Sequence, residues 1–478
     1  MNTAKPPHAG LVLATACLCQ VMVVLDVSVV NVALPSIDQA LGFSGASLSW
    51  VVNAYAVVFG GLLLLGGRIA DMVGQRRALL AGLALFGLAS VLGGFAQNPG
   101  QLIAARAGQG VAGAVLAPLS LTIIMVTFAE GPARTRAVGI WAMVAACGSA
   151  LGVLLGGVLT DLLSWRWVMF VNVPFVIATA ALAWRSVHER RAMSRPRLDV
   201  PGAILGTAAV TLLVYAMVHA SDTSWGHSTT VVTLVLSVLA GAAFAGWEQR
   251  GAAEPLVRLS IFSVRTVWVS NLTVLFIGAA SVAGFYFASL FLQDVLGYTP
   301  MQAGAAFLPF CVGVIIGARS SSALAARFGS RVTITLGLIL GGVGMFLFSL
   351  LDTDSTFLTG FLPPSIVASI GIGICMVTNT TMATSGVAHH EAGLVSGLVN
   401  ASRQIGGSIG LAALTTVAVS AARSSVTSGS DAIAAAAHGY SRAFLVTGIL
   451  VLIAAALAAV FAPTGARATE PDPALEVA

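Results

Sequence analysis

The sequence predicts an all-α polytopic membrane protein with about 14 transmembrane helices. Of its 478 residues, 57% are hydrophobic and only 9% are charged, and the mean hydropathy is +0.95. A water-soluble chain of this composition would lack the polar groups that its surface needs, whereas a chain solvated by lipid needs few of them. The apolar residues also recur in long runs that are separated by short polar segments.

Each of these apolar runs is long enough for one helical crossing of roughly 20 residues. In chain order they lie near residues 11–34, 49–68, 79–96, 101–128, 137–160, 166–185, 201–219, 229–247, 267–293, 301–320, 332–351, 357–383, 394–421 and 440–462. An even number of crossings predicts that both chain termini lie on one side of the membrane.

Arginines predict which side that is. They cluster in alternate loops, such as Arg76 with Arg77 and the five arginines between residues 185 and 197. The intervening loops carry mainly acidic residues, among them Asp38 and Asp161. By the positive-inside rule, both termini are cytoplasmic and the chain is a multi-pass protein of the plasma membrane. The net charge of +5 comes from scattered arginines, so no nucleic-acid partner is expected.

A weak internal repeat predicts the domain organisation. Segments 67–76 and 322–331 match at Gly74 with Gly329 and at Arg76 with Arg331. Two six-helix units related in this way, with two further helices between them, fit the number of crossings. The predicted parts are a first six-helix bundle (1–198), two inserted helices with their linkers (199–265), a second six-helix bundle (266–463) and a cytoplasmic tail (464–478).

Asp26 is the only carboxylate placed deep within a predicted helix. An ionised carboxylate in hydrocarbon is costly, so such a residue faces a cavity, pairs with a cation or takes up a proton. Arg106 lies at a similar predicted depth in the fourth run, and it is the expected partner. The alternative is an acid that only holds two helices together.

Polar and aromatic residues in other runs are candidates for binding a substrate. Asn53 and Tyr55 enter the second run at the level of Asp26, although ordinary hydrogen bonds between helices are an equally good interpretation. Phe285 and Tyr286 in the ninth run predict an aromatic wall for a flat or cationic molecule. Their alternative is a position facing lipid or the membrane interface.

Two glycine patterns predict close helix packing. One lies in the fifth run and the other in the thirteenth, and we expect both to form interfaces that slide during transport, with plain helix packing as the alternative. The residues are Gly148, Gly152, Gly156, Gly157, Gly406, Gly407 and Gly410. No metal is expected, because the adjacent side chains of His389, His390 and Glu391 point apart. No P-loop is present in the sequence.

At six places the chain resembles the fourteen-helix drug/proton antiporters of the major facilitator superfamily. The matching residues are Leu25 to Pro35, Gly67 to Arg77, Arg106 to Gly110, Gly148 to Gly157, Trp165 to Pro174, and Asn400 with Arg403, Gln404, Gly406 and Gly407. The chain departs from the family pattern at Met72, where an arginine is usual, and at Val153, where a proline is usual. The second departure weakens the inference of export over import.

The resemblance implies a major facilitator fold without an organic cofactor, and a role for several motifs. Asp26 would carry the proton, with Arg106 as its coupling partner. Independently of the resemblance, the candidates for substrate binding are Asn31, Asn53, Tyr55, Gln109, Phe285 and Tyr286. A cytoplasmic latch between the halves would consist of Gly67, Asp71, Gly74, Arg76 and Arg77.

The predicted function is proton-coupled export of hydrophobic, neutral or monocationic drugs or antibiotics by alternating access. The expected partners are a small drug-like substrate, protons and membrane lipid, without an obligate protein partner. A proton-coupled importer of a small metabolite would use the same fold and the same carboxylate. A membrane-embedded enzyme would need a paired set of catalytic side chains, and none is visible within the runs.

Overall fold

The computed structural model describes residues 9–43, 45–128, 132–187, 189, 199–251, 255–385, 387 and 392–463. These ranges are helical with connecting turns, as the predicted all-α class requires. The α-helices are α1 Ala9–Leu41, α2 Trp50–Val73, α3 Gln75–Gly94, α4 Pro99–Thr127, α5 Pro132–Leu162, α6 Trp167–Phe170, α7 Asn172–Ser186, α8 Val200–Asp222, α9 Ser228–Arg250, α10 Arg265–Leu290, α11 Pro300–Ala306, α12 Leu308–Phe348, α13 Leu362–Thr384, α14 Ala392–Thr427 and α15 Ala432–Phe461.

These helices make 14 crossings in the described part of the chain, which confirms the predicted number. The short helix α6 and the longer α7 together form the sixth crossing. The tenth crossing consists of α11 and the first half of α12, and the second half of α12 is the eleventh crossing. The predicted cytoplasmic tail, 464–478, lies outside the described residues.

Helix α12 doubles back at Gly329. Its 41 residues would measure about 60 Å if straight, which is roughly twice the hydrocarbon thickness. Gly329 instead adopts φ 80° and ψ 162°, a backbone conformation that a side chain would disfavour. Gly74, its counterpart in the internal repeat, also has positive φ, at 104°, where α2 passes to α3. The repeated glycine therefore makes the same kind of tight turn in both units.

The helices pack as two groups with a pair between them. In the first group α1 packs against α4, α5 and α7, and in the second group α10 packs against α13, α14 and α15. The pair α8 and α9 pack against each other, and α8 also contacts α2 and α14, one from each group. On α9 a row of exposed apolar side chains, including Val231, Val235 and Val238, suits contact with lipid.

We call the end of the molecule where α1 begins and α15 ends the near end, and the opposite end the far end. Towards the far end, Ser289 on α10 donates a hydrogen bond to the main-chain carbonyl of Asn31 on α1, at 2.9 Å. Gln293 donates to the carbonyl of Val32, also at 2.9 Å. These contacts join the two groups of helices beside the middle of α1, where Asp26 lies.

Candidate functional site

Asp26 lies in the middle of α1 with none of its surface exposed, and it accepts three hydrogen bonds. Arg106 Nη1 donates to Asp26 Oδ2 at 2.5 Å. Gln109 Nε2 and Asn172 Nδ2 both donate to Asp26 Oδ1, at 2.9 and 2.7 Å. The carboxylate therefore receives donors from α4 and α7, and the structure brings Asp26 and Arg106 into the pair that the sequence predicts.

Arg106 is held on every side by the first bundle. Its Nη1 also donates to Gln109 Oε1 at 2.7 Å, and its Nε donates to the carbonyl of Val51 on α2 at 2.9 Å. Its guanidinium carbon lies 4.8 Å from the centre of the Tyr55 ring, within the range of a cation–π contact. Only 1% of the residue is exposed, so its charge is balanced inside the protein rather than by water.

Small residues on α4 bring Tyr55 to this position. A Cβ on Gly110 would lie 2.7 Å from the main-chain oxygen of Tyr55, and a Cβ on Gly113 would lie 2.9 Å from its hydroxyl oxygen. The two glycines therefore permit α2 to approach α4 closely. Gln109 lies on the same helix, α4. Its Nε2 donates both to Asp26 Oδ1 and to Ser90 Oγ, each at 2.9 Å.

Asn172 belongs to this site, although the sequence did not single it out as a site residue. It begins α7 directly after the short helix α6 and is fully buried. In the sequence it appears only within the motif around the sixth run. Its separation of 146 residues from Asp26 gives no local signal of contact.

The four side chains form a neutral unit that depends on all its members. A buried ion pair repays the cost of desolvation only when further hydrogen bonds satisfy its remaining polar atoms. Here Gln109 bonds to both charged partners and Asn172 bonds to the carboxylate. Any change that adds a proton to Asp26 removes its negative charge and leaves the Arg106 guanidinium without a counter-ion. Coupling between protonation of this site and helix movement stays a prediction.

Asn31, Asn53 and Tyr55 contain polar atoms that lack a partner. Both amide atoms of Asn53, the hydroxyl of Tyr55 and Oδ1 of Asn31 are buried without a hydrogen bond. Asn31 Nδ2 donates to the carbonyl of Val27 on its own helix. Buried polar groups are nearly always bonded, so these atoms mark places where water or a ligand would be bound. Substrate binding by the three residues stays a prediction.

Phe285 and Tyr286 lie in the second bundle, apart from the group around Asp26. The Phe285 ring stacks on Phe307 with 4.9 Å between centroids and meets Phe310 edge-on at 4.8 Å. It borders a cavity whose lining includes Ser281. Tyr286 is 2% exposed, so it does not face lipid. Phe285 therefore belongs to an aromatic cluster, while an aromatic wall that binds a substrate stays a prediction.

The predicted latch residues make contacts within the first bundle. The Arg76 guanidinium carbon lies 4.2 Å from the ring centre of Trp184 on α7. Arg77 Nε lies 3.8 Å from Glu189 Oε2, and both side chains are partly exposed. A Cβ on Gly67 would have nothing within 4 Å. The side chain of Asp71 lies outside the described part of the chain, so a latch between the halves stays a prediction.

Both glycine patterns pack the fifth helix of a unit against the first helix of the same unit. On α5, a Cβ on Gly152 would lie 2.8 Å from Ser28 Cβ, and one on Gly156 would lie 2.7 Å from the Val29 carbonyl oxygen. Gly148 faces α1 with more room. On α14, Gly406, Gly407 and Gly410 face α10 in the same way. Gly157 instead faces Pro300 and Met301, across the contact between the bundles. Sliding at these interfaces stays a prediction.

The polar members of the α14 motif lie near the contact between the bundles. Arg403 Nη2 donates to Asn400 Oδ1 at 2.7 Å. The Cβ of Gln404 lies 2.8 Å from the position of a Cβ on Gly60, which belongs to α2. Gln404 therefore contacts the first bundle. Among the residues that the structure describes, no cluster of three potential metal-ligating side chains occurs. His389, His390 and Glu391 are outside those residues.

Known proteins resemble the chain in sequence and in fold. It is 45% identical over 473 residues to the cephamycin export protein of Amycolatopsis lactamdurans, covering 98% of this chain and 96% of the relative. It is 41% identical over 457 residues to a puromycin resistance protein of Streptomyces alboniger, covering 93% and 89%. These relatives confirm the resemblance to the drug-exporting branch that the motifs predicted.

Solved structures share the fold at low sequence identity. The POT family transporter PepTSo superposes with a TM-score of 0.72 at 14% identity, covering 96% of this chain and 98% of that one. A bacterial homologue of the human lysosomal transporter Spinster, in an inward-facing conformation, gives a TM-score of 0.68 at 17% identity, with coverage of 96% and 98%. The sequence profile of the Major Facilitator Superfamily matches residues 16–411. The chain is therefore a multi-pass transporter of the plasma membrane, not an enzyme, and it belongs to the Major Facilitator Superfamily.

Proposed function

We propose that this transporter exports hydrophobic drug-like or antibiotic molecules in exchange for protons, and that Asp26 carries the proton. The observation on which the proposal rests is the carboxylate of Asp26, fully buried and bonded to Arg106, Gln109 and Asn172. An acid inside the membrane that is bonded in this way is a default candidate for a proton relay. The relatives, a cephamycin export protein and a puromycin resistance protein, support export of antibiotics.

Protonation and conformation are coupled through Arg106. While Asp26 is ionised, the guanidinium is neutralised inside the first bundle. When a proton reaches Asp26, the ion pair loses its attraction, and a buried uncompensated guanidinium is strongly destabilising. Arg106 must then turn towards water or cargo, and its bond to the Val51 carbonyl links that movement to α2. Because α2 packs against α14, the movement passes to the second bundle.

The direction of transport follows from the side on which each step takes place. With both termini cytoplasmic, the near end of the molecule faces the cytoplasm and the far end faces the outside. Cargo enters from the near end, and the proton enters from the far end. The bundles 1–198 and 266–463 rock about the site, with the inserted helices of 199–265 between them. Val153 in place of the usual proline leaves room for the importer alternative, whereas the named exporters among the relatives favour export.

The charge of the cargo follows from the single deep carboxylate. One proton exchanged for a monovalent cation moves no net charge, so that cycle is driven by the pH gradient alone. One proton exchanged for a neutral molecule moves one charge and also uses the membrane potential, worth about 2.3 kcal/mol per charge per 100 mV. A dication would find no second deep acid among the described helices. We therefore expect neutral or monocationic cargo, bound near the partnerless atoms of Asn53 and Tyr55.

The proposal is tested by the resistance profile of a drug-sensitive host. Expression of the wild-type chain should raise resistance to hydrophobic antibiotics and lower their accumulation, and a protonophore should abolish both effects. Asp26→Asn should remove the resistance, because it removes the titratable group. Asp161→Asn, at the exposed end of α5, is the matched control and should retain it. Increased accumulation of cargo in energised cells would instead identify an importer.

A further inference from the structure

Two buried acids outside the site meet where the two inserted helices come together at the near end. Asp199 caps the N-terminus of α8, and Glu248 lies near the C-terminus of α9. Each residue is only 5% exposed. The packing of α8 against α9 places these ends side by side. Neither acid belongs to any motif that the resemblance assigns.

Half of the oxygens in this pair have donors and half do not. Asp199 Oδ1 accepts from the Gly202 amide at 2.9 Å and from Trp247 Nε1 at 2.7 Å. Glu248 Oε2 accepts from the Val257 amide at 3.2 Å. The remaining oxygens, Asp199 Oδ2 and Glu248 Oε1, are buried without any donor.

The two partnerless oxygens point into the same small space. They lie 2.5 and 2.8 Å from the same point, the position of a Cβ on Gly202, which only glycine leaves open. Two ionised carboxylates this close would repel each other, whereas one proton shared between them makes a short, strong O–H···O⁻ bond.

Among the residues that the structure describes, the cation that acts on the pair is Arg68 of α2, whose Nη2 donates to the carbonyl of Pro255 at 2.7 Å. From α8 and α9 the pair receives the neutral donors of Gly202 and Trp247, and from segment 255–257 the amide of Val257. Within this described group, two carboxylates and one guanidinium sum to −1, which one bound proton cancels.

The segment bonded to Glu248 packs between the bundles. Leu256 and Val257 are buried in a cluster with Leu65 of α2 and Leu398 of α14. Val257 donates to Glu248, and Pro255 accepts from Arg68. The protonation state of the acid pair therefore affects how firmly the inserted helices are attached to both bundles.

We propose that Asp199 and Glu248 share one proton and form a second protonation site, separate from Asp26, which fastens the inserted helices at the near end. The proton comes from water at the near end and returns to it, and no other bond is made or broken. When the proton is lost, the two partnerless oxygens repel each other and the attachment of α8 and α9 to segment 255–257 loosens. The inference does not depend on proton coupling at Asp26.

Infrared spectroscopy of the purified full-length protein tests the proposal directly. At neutral pH the wild type should show the carbonyl stretch of a protonated carboxyl that disappears at alkaline pH. Glu248→Gln should remove this band, because its amide donates to Asp199 Oδ2 and still accepts from Val257. Asp199→Asn keeps a good helix cap and should remove the band as well. Asp222→Asn, at the other end of α8, and Asp26→Asn should both retain it.

Stability supplies a second readout. If the folded pair holds a proton that the unfolded chain releases, the stability of the wild type falls as pH rises through the titration of the pair. Glu248→Gln and Asp199→Asn should abolish that fall and remain folded at alkaline pH. A wild type without the band, or a band and a pH dependence that persist in both variants, overturns the proposal. Loss of the band only in Asp26→Asn would assign the proton to Asp26 instead.

Discussion

Replacing Asn172 by leucine tests whether the donors around Asp26 stabilise the first bundle. The two side chains have the same number of heavy atoms in the same branched arrangement, and the change removes one hydrogen bond, from Nδ2 to Asp26 Oδ1 at 2.7 Å. Gln109 still donates to the same oxygen, and Arg106 still donates to Oδ2. The ion pair therefore survives with one donor fewer.

The size of the effect follows from that bond. A hydrogen bond to a charged group contributes about 1.5–3 kcal/mol. Loss of the donor leaves the buried carboxylate of Asp26 with two donors in place of three. The free energy of unfolding of Asn172→Leu should therefore be about 1.5–3 kcal/mol lower than that of the wild type.

The assay measures the unfolding of the purified protein in detergent. Thr179→Val, on the same helix, is the matched control, because Thr179 is also fully buried and its hydroxyl has no hydrogen-bond partner. Its stability should be no lower than that of the wild type. An Asn172→Leu variant as stable as the wild type would refute the reasoning, since the donor from α7 would then contribute nothing to holding Asp26.

The remaining predictions concern the latch, the glycine interface and the cargo. Asp71→Asn should slow turnover and leave cargo affinity in detergent unchanged, as expected for a conformational step; lost affinity with normal turnover would place Asp71 in the binding site instead. In Gly156→Ala the new Cβ would lie 2.7 Å from the Val29 carbonyl oxygen, so the variant should be destabilised in thermal unfolding by roughly 1–3 kcal/mol. In Gly148→Ala the nearest atom is 3.5 Å away, so that variant should be tolerated. Equal losses of stability in the two variants would contradict this. With the pH gradient and the membrane potential set independently, a monocationic dye should be exported faster than a matched dicationic dye. Equal rates for the two dyes, together with export of the monocation driven by the membrane potential, would reveal a further proton site coupled to transport.

The sequence predicted how deep a residue lies in the membrane better than which way its side chain points. Apolar runs gave the 14 crossings, and position within a run placed Asp26 and Arg106 at one level, where the structure pairs them. The rotation of each helix depends on contacts between distant parts of the chain. The bond from Gln109 to Asp26 therefore did not follow from the sequence, which offered Gln109 as a substrate-binding candidate, and that role stays a prediction. Asn172 was missed because nothing near it in the sequence indicates its partner.

Two other features could not be predicted from the periodicity of apolar residues. Phe285 and Tyr286 are adjacent in the sequence but contact different rings, and an aromatic wall formed by both stays a prediction. The acid pair of Asp199 and Glu248 lies at helix ends, where a sequence places ordinary caps and solvated acids. The contact of Glu248 with segment 255–257 is tertiary, so the sequence did not indicate it.

The central claim is that Asp26 couples cargo movement to proton movement, and proton flux driven by cargo tests it most directly. Proteoliposomes carry a pH-sensitive dye inside, equal pH on both sides and a cargo gradient as the sole driving force. The account predicts that the wild type moves protons against the direction of cargo, and that Asp26→Asn, folded and inserted, moves none. Cargo-driven proton movement at the wild-type rate in Asp26→Asn would contradict the account.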